Sequence, residues 1–463
     1  MKEPDVLRSG ARDVSTSDRG KADMATVRQG PIDAARARRR RRGVRVSAVT
    51  ASAAVLLVAC SSGGTTSGDA DAGTSGPEQE TALACEPGDS PVAASGATDA
   101  AALRLPEPTG PEAVGTTQLA LIDRDRMDPL APEQAPRELV VQIWYPTDAD
   151  QNTPGCATTR YQSAAAAAAN EQIFSYPEGS LDTIGSPALL DAPIAQSDDK
   201  HPVVLYAHGL YGALTDNTAV ALQLASNGYV VVAMGSTYES PAIQFPDGRV
   251  LETSQRTSDL LNADEVTPLI DLRAQDAGFV LAELSSGDAV PAALRESLDL
   301  ERVAMFGHSA GGAAALQLAH DRDDVAAAVN LDGFTRQPDA AARLDVPFVF
   351  VTSEGHTPAT EPSWPAFLDA SDDGLLVEMT GVGHLALTDV GSDGWIDGMG
   401  LREIVPPAAF ATNFGELAPG TMAVIAQGIT GFLDRTIRDG DTDGFEQLAQ
   451  DNPQIIKSLT PVN

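Results

Sequence analysis

The chain has 463 residues, 43% of them hydrophobic and only 5% aromatic, with a formal net charge of −34. That apolar content suffices for a large core and excludes a wholly disordered chain, while so acidic a balance argues against nucleic acid as a partner, because phosphate backbones reward clustered Lys and Arg. No apolar run reaches the length of a spanning helix, and three cysteines are too few for a disulfide-dense scaffold.

The charge is segregated. Residues 1–59 carry 13 basic and 6 acidic side chains, and the remaining 404 carry 18 and 59. The basic head ends in Arg38–Arg42 and is followed by a 14-residue apolar run, Val46–Ala59. That is the length of a signal-peptide core and too short to cross a bilayer. The run closes on Leu57-Val58-Ala59-Cys60 and continues Ser61-Ser62-Gly63-Gly64, which resembles the lipobox of bacterial lipoproteins. The resemblance implies cleavage before Cys60, acylation of its thiol, and an exported protein held at the outer face of the cell membrane by its lipid. Residues 1–59 are thus expected to be a signal peptide with an N-terminal extension. Residues 60–112, rich in Gly, Ser, Thr, Ala, Pro and acidic groups, are expected to be a disordered tether. With Cys60 lipidated, Cys85 and Cys156 remain as a possible disulfide in an oxidising compartment.

From about residue 113 the pattern becomes structured. Thr116–Ile122 and Leu139–Tyr145 read as strands. Residues 148–198 are Ala- and Pro-rich and irregular, apart from one helix near 163–172. Then buried strands (Pro202–Ala207, Tyr229–Met234, Arg302–Phe306, Ala326–Asn330, Phe348–Thr352, Leu375–Thr380) alternate with helices (Thr218–Asn227, Thr267–Leu284, Gly311–His320, Met422–Arg438). Continuous apolar strands between helices predict a mostly parallel, doubly wound α/β sheet, with one catalytic domain over 113–440 and an acidic, partly ordered tail over 441–463. There is no internal repeat and no Gly-rich nucleotide loop.

The sharpest motif is Gly307-His308-Ser309-Ala310-Gly311, between the strand R-V-A-M-F and an Ala-rich helix. G-x-S-x-G in that setting is a nucleophile elbow, a strained strand-to-helix turn that projects the serine hydroxyl above the sheet. Ser309 needs a base, and the chain has six histidines. His308 lies inside the elbow and should point away from the hydroxyl. His320 ends the next helix, and His201 sits at the far end of the sheet. His208 belongs to the loop Ala207-His208-Gly209-Leu210-Tyr211-Gly212. His384, in a Gly-rich loop after the last apolar strand, is the expected base, with His356 as the fallback. Two carboxylates at strand ends, Asp332 and Glu354, could orient it, and the residue types alone do not separate them. The oxyanion of an acyl-transfer intermediate needs two donors. The Ala310 amide is one, and the Leu210 amide of the H-G loop is the other. No metal constellation or cofactor site is visible, and this chemistry requires none.

H-G-L after a buried strand, Q-L-A-S-N-G-Y-V-V-V-A, G-H-S-A-G-G, N-L-D-G, V-T-S-E and G-x-G-H, with the early I-W-Y-P of Ile143–Pro146, together resemble the α/β-hydrolase group of plasma-type platelet-activating factor acetylhydrolases and their bacterial relatives. The resemblance covers roughly 113–440. It implies an α/β-hydrolase fold, a triad of Ser309, Asp332 and His384, oxyanion donors at Leu210 and Ala310, and hydrolysis of carboxylic or phospholipid acyl esters through an acyl-enzyme. Cutinase-like polyester hydrolases share the fold but place the acid one strand later, which keeps Glu354 as the alternative acid. A non-catalytic surface lipoprotein of the same fold is the third reading. The chain departs from the family at Ala310, where an aromatic residue is common, and over Met234–Pro241, which lacks the family's basic-acidic run. Both lie near the mouth of the site. The sequence does not specify an oligomeric state.

Overall fold

A computed structural model describes residues 83–85, 103–197, 199–263, 265–335, 343–440 and 444–462. Cys60 and the signal-like segment lie outside the described residues.

Among the described residues thirteen strands form: β1 (Ala113–Met127), β2 (Pro136–Thr147), β3 (Thr158–Arg160), β4 (Gly185–Leu190), β5 (His201–Ala207), β6 (Val230–Gly235), β7 (Ala242–Gln244), β8 (Val250–Glu252), β9 (Leu298–His308), β10 (Val325–Leu331), β11 (Phe348–Thr352), β12 (Gly374–Met379) and β13 (Ile456–Val462). All but the small β7–β8 hairpin join one sheet in the order β13-β12-β11-β10-β9-β5-β6-β2-β1-β4-β3. The six strands from β12 to β6 run parallel. β2 and β13 flank them antiparallel.

The parallel strands are buried on both faces, and their side chains alternate between two cores. On β5, Val204 and Tyr206 enter one core while Val203, Leu205 and Ala207 enter the other. The first core is closed by helices Thr218–Ser226 and Thr421–Ile437, through Val220, Leu224, Ile425, Ile429 and Phe432. The second is closed by Thr267–Ser286 and Ala310–Asp321, through Ile270, Val280, Leu281, Leu316 and Leu318. This is the doubly wound arrangement that the strand and helix pattern implies.

β5 and β9 are neighbours, yet the chain leaves β5 in one direction, to β6, and reaches β9 on the opposite side. At such a reversal, outside the carboxyl ends of the strands, open α/β sheets hold ligands. The loop after β5 carries Leu210 and the turn after β9 carries Ser309.

Three expectations are corrected. The segment 441–463 is not an appended tail: Phe445–Asp451 is a helix whose Phe445 is buried, and β13 pairs with β12 from Gly374↔Val462 to Met379↔Ile456. A seven-residue strand with exposed polar positions gains its stability only from the edge it covers. The expected tether ends before 112: Leu105 is buried, the Thr109 amide donates to Gln223 (2.9 Å) and the Glu112 amide to the Ser226 carbonyl (3.0 Å). The segment 148–198 is more regular than its composition suggests, since it contributes β3, β4 and the helix Ala164–Phe174, which Ser163 caps. A disulfide joins Cys85 to Cys156.

Candidate active site

Ser309 stands between β9 and the helix Ala310–Asp321 with φ 55° and ψ −118°. L-residues avoid that backbone region, and at such turns the surrounding packing sustains the strain. Here the packing rests on small residues: a Cβ on Gly307 would overlap the Gly311 backbone, one on Gly311 the Ala207 carbonyl, and one on Gly312 the Asn330 side chain. The Ser309 amide donates to the Leu331 carbonyl (2.8 Å), locking the turn to β10. Ser309 is half-buried. Ala310 is the first residue of the helix, so its N–H has no partner within the helix.

Asp332, immediately after β10, is buried and has φ 57°. Its Oδ2 lies 2.6 Å from His384 Nδ1 and its Oδ1 2.7 Å from His356 Nδ1. The Ser353 amide donates to Oδ1 (2.7 Å), and the Ser353 hydroxyl lies 2.9 Å from both oxygens. Burial alone would raise this carboxyl, but the bonds from His356 and His384 outweigh it and hold Asp332 well below the usual carboxylate range. Asp332 is therefore an anion that orients His384 through Nδ1 and leaves Nε2 for another partner. Glu354 has no contact of this kind. It is exposed, accepts the Gly381 amide (2.9 Å) and faces Lys457 at 3.6 Å. Of the two carboxylates that the residue types left open, the structure joins Asp332 to His384.

Sequence reasoning missed three supports. His308, inside the elbow, has a role of its own: its Nε2–H donates to the His384 carbonyl (2.9 Å) and its ring packs 4.7 Å from the His384 ring. Burial lowers His308 to about 3, and the neighbouring His384 adds to the effect, so it is a neutral donor. In the H-G loop, His208 is likewise lowered to about 3 by burial and by Arg273. Its Nδ1–H donates to the Gly209 carbonyl (2.7 Å), and its Nε2 accepts the Ser236 amide (3.2 Å). Arg273, buried and ion-paired with Glu239, also donates to the Gly209 carbonyl (3.3 Å). The only sequence signal for it is an arginine on the apolar face of Thr267–Ser286. Third, Asp389 accepts the Thr218 and Ala219 amides (2.8 and 3.0 Å), and Asn217 donates to the Leu387 carbonyl (3.0 Å). These bonds tie the His384 loop to the segment that follows the H-G loop. Beside it, Phe174 of the 148–198 segment meets Tyr211 edge-on at 6.3 Å.

Two family models match parts of the chain: platelet-activating factor acetylhydrolase, isoform II, over residues 97–258, and the dienelactone hydrolase family over 188–363. The platelet-activating factor acetylhydrolase of Cavia porcellus is 27% identical over 189 residues, 36% of this chain and 43% of its own length. A probable 1-alkyl-2-acetylglycerophosphocholine esterase of Arthroderma benhamiae is 27% identical over 243 residues, 50% of this chain and 58% of its own. The chain has the α/β-hydrolase fold, and its matches lie with the platelet-activating factor acetylhydrolase-like members of that fold. Its matches span about half the length of these curated relatives. The solved ferulic acid esterase from Streptomyces cinnamoneus is similar over 77% of this chain and 100% of that one, with a TM-score of 0.64 and 25% identity.

The elbow's packing gives a direct test. Gly311→Ala forces a methyl against the Ala207 carbonyl, and the expected loss is about 1–3 kcal/mol or more. A thermal melt checks the stability, and fluorophosphonate labelling should show loss of Ser309 reactivity. A wild-type melting temperature with full labelling would contradict the packing described.

Proposed function

We propose that this α/β-hydrolase is a serine hydrolase of carboxylic esters that works through an acyl-enzyme, is exported, and is held at a membrane by lipid on Cys60. The observation that carries the chemistry is the 2.6 Å bond from His384 to the buried Asp332, which follows β10, while the strained Ser309 follows the adjacent strand β9. In this reading Ser309 Oγ attacks the ester carbonyl and His384 Nε2 takes its proton. The imidazolium so formed rests on the Asp332 anion, and the amides of Leu210 and Ala310 receive the oxyanion. His384 then passes the proton to the leaving alcohol, and water repeats the sequence on the acyl-Ser309.

The relatives bear names of acetyl-phospholipid and ferulate ester hydrolases. Both are carboxylic esters, which supports the reaction class. Short acyl groups on a phospholipid are our reading of the substrate, and a tether beside a bilayer would keep such a substrate near. A polyester hydrolase with Glu354 as its acid has weaker support, given where Glu354 lies.

The expected outcome with p-nitrophenyl esters of two to sixteen carbons and an acetyl-phospholipid is turnover by the wild type and none by Ser309→Ala. Asp332→Asn should lower kcat by about 10⁴-fold, with Glu354→Gln within a few-fold of wild type. Equal losses from the two acid variants, or the reverse order, would sink the assignment. For the anchor, cells expressing the full chain and fed labelled palmitate should yield a labelled, membrane-bound protein, and Cys60→Ser should abolish both label and membrane binding. An unlabelled wild type would refute the lipid anchor.

A further inference from the structure

Asp332 serves two histidines. A triad acid needs one oxygen aimed at the base, and a carboxylate rotates broadly about its terminal torsion. Here Oδ2 faces His384, and the rotation is stopped from the other side by His356 Nδ1 at 2.7 Å on Oδ1 together with Ser353. His356 is itself held. Its Nε2 faces Glu361 Oε2 at 3.5 Å, and its ring lies 4.4 Å from the Trp364 ring. Trp364 is buried and donates its Nε1–H to the Gly333 carbonyl (3.0 Å), one residue beyond Asp332. His356 thus closes a ring of contacts that begins and ends beside the acid.

We propose that His356 is a positioning residue for the triad acid: it fixes the Asp332 rotamer and sets how much of that carboxylate's charge is available to His384. The inference rests on the ester-hydrolase reading for its catalytic consequence, and on the Asp332 contacts for its geometry.

The charges facing His356 are Asp332 and Glu361, and His384 lies across the shared carboxylate. Burial would lower His356, but the bonds to Asp332 and Glu361 outweigh it and raise the ring to about 9. At neutral pH it is therefore an imidazolium. A positive charge on Oδ1 and the imidazolium that forms on the Oδ2 side during the reaction draw on one anion. Ser309 needs a neutral His384 to accept its proton. His356 accordingly couples the pH dependence of the site to the charge it places on Asp332, while Asp332 still supports the imidazolium of the transition state.

The test uses the full chain, with rates counted per fluorophosphonate-titrated site. His356→Asn keeps a donor near the Nδ1 position and removes the charge. The acid limb of its kcat/KM profile is expected to move up by about one pH unit, with plateau kcat within about threefold of wild type. His356→Ala should show the same displacement with a further loss of about tenfold or more in plateau kcat. A merely structural role would lower the number of titratable sites or the melting temperature and leave the limb in place. That result, an unmoved limb in His356→Asn, overturns the proposal.

A second readout does not depend on turnover. In protein labelled with ¹⁵N-histidine, the His356 ring is expected to remain protonated at pH 7.5, and a neutral ring there overturns the proposal whatever the activity. Failure of the ester-hydrolase reading looks different: a wild type that neither turns over esters nor takes the probe, with the His356 spectrum still deciding whether it is the cation on Asp332.

Discussion

One buried carboxylate organises this site. An unpaired anion in the interior is expensive, so Asp332 can exist in its charged form only because four donor groups converge on it from two separate segments. His356 and Ser353 come from the chain after β11, and His384 from the loop after β12. Asp332 itself follows β10, whose pairing with β9 fixes where Ser309 stands. The parallel register of four adjacent strands thus delivers the acid, its two histidines and the nucleophile to one edge of the sheet.

Holding those loops to that edge falls to polar contacts outside the triad. His308 grips the His384 backbone from beneath. Asp389, on the same loop, binds the amino end of the helix Thr218–Ser226, where free N–H groups favour a carboxyl oxygen. Arg273 and His208 both hold the Gly209 carbonyl. That leaves the neighbouring Leu210 amide in a loop whose Gly209 carbonyl is already engaged. A strained serine is useful only where its surroundings do not relax, and the buried neutral histidines and the Arg273–Glu239 pair supply that rigidity.

Much of this was legible in the sequence, for a physical reason. Strands such as V-V-L-Y-A and F-V-F-V-T are buried on both faces, so their apolar runs are continuous and their ends fall where the structure places them. The elbow was legible because only small residues fit around Ser309. Where sequence fell short, the missing information was tertiary. Asp332 and Glu354 both follow strand ends, and only their placement in space shows that the Asp332 carboxylate meets His384 while Glu354 faces Lys457. Ile456–Val462 alternates weakly, and only the free edge of β12 makes it a strand. Leu103 and Leu105 sit in a polar, tether-like stretch, and burial against the body is the one feature that distinguishes them. His356 was visible as a histidine near a strand end, but its bond to the shared acid is a matter of three-dimensional placement.

The most direct test of the account is the crystal structure of the protein after reaction with a p-nitrophenyl phosphonate, whose tetrahedral phosphorus mimics the acyl-transfer intermediate. The expected density shows phosphorus bonded to Ser309 Oγ, its oxygen within hydrogen-bond reach of the Leu210 and Ala310 amides, and His384 Nε2 turned toward the adduct with Nδ1 still on Asp332. An adduct on another residue, or an imidazole of His384 turned away from the adduct, would contradict the claim that these side chains form one catalytic unit.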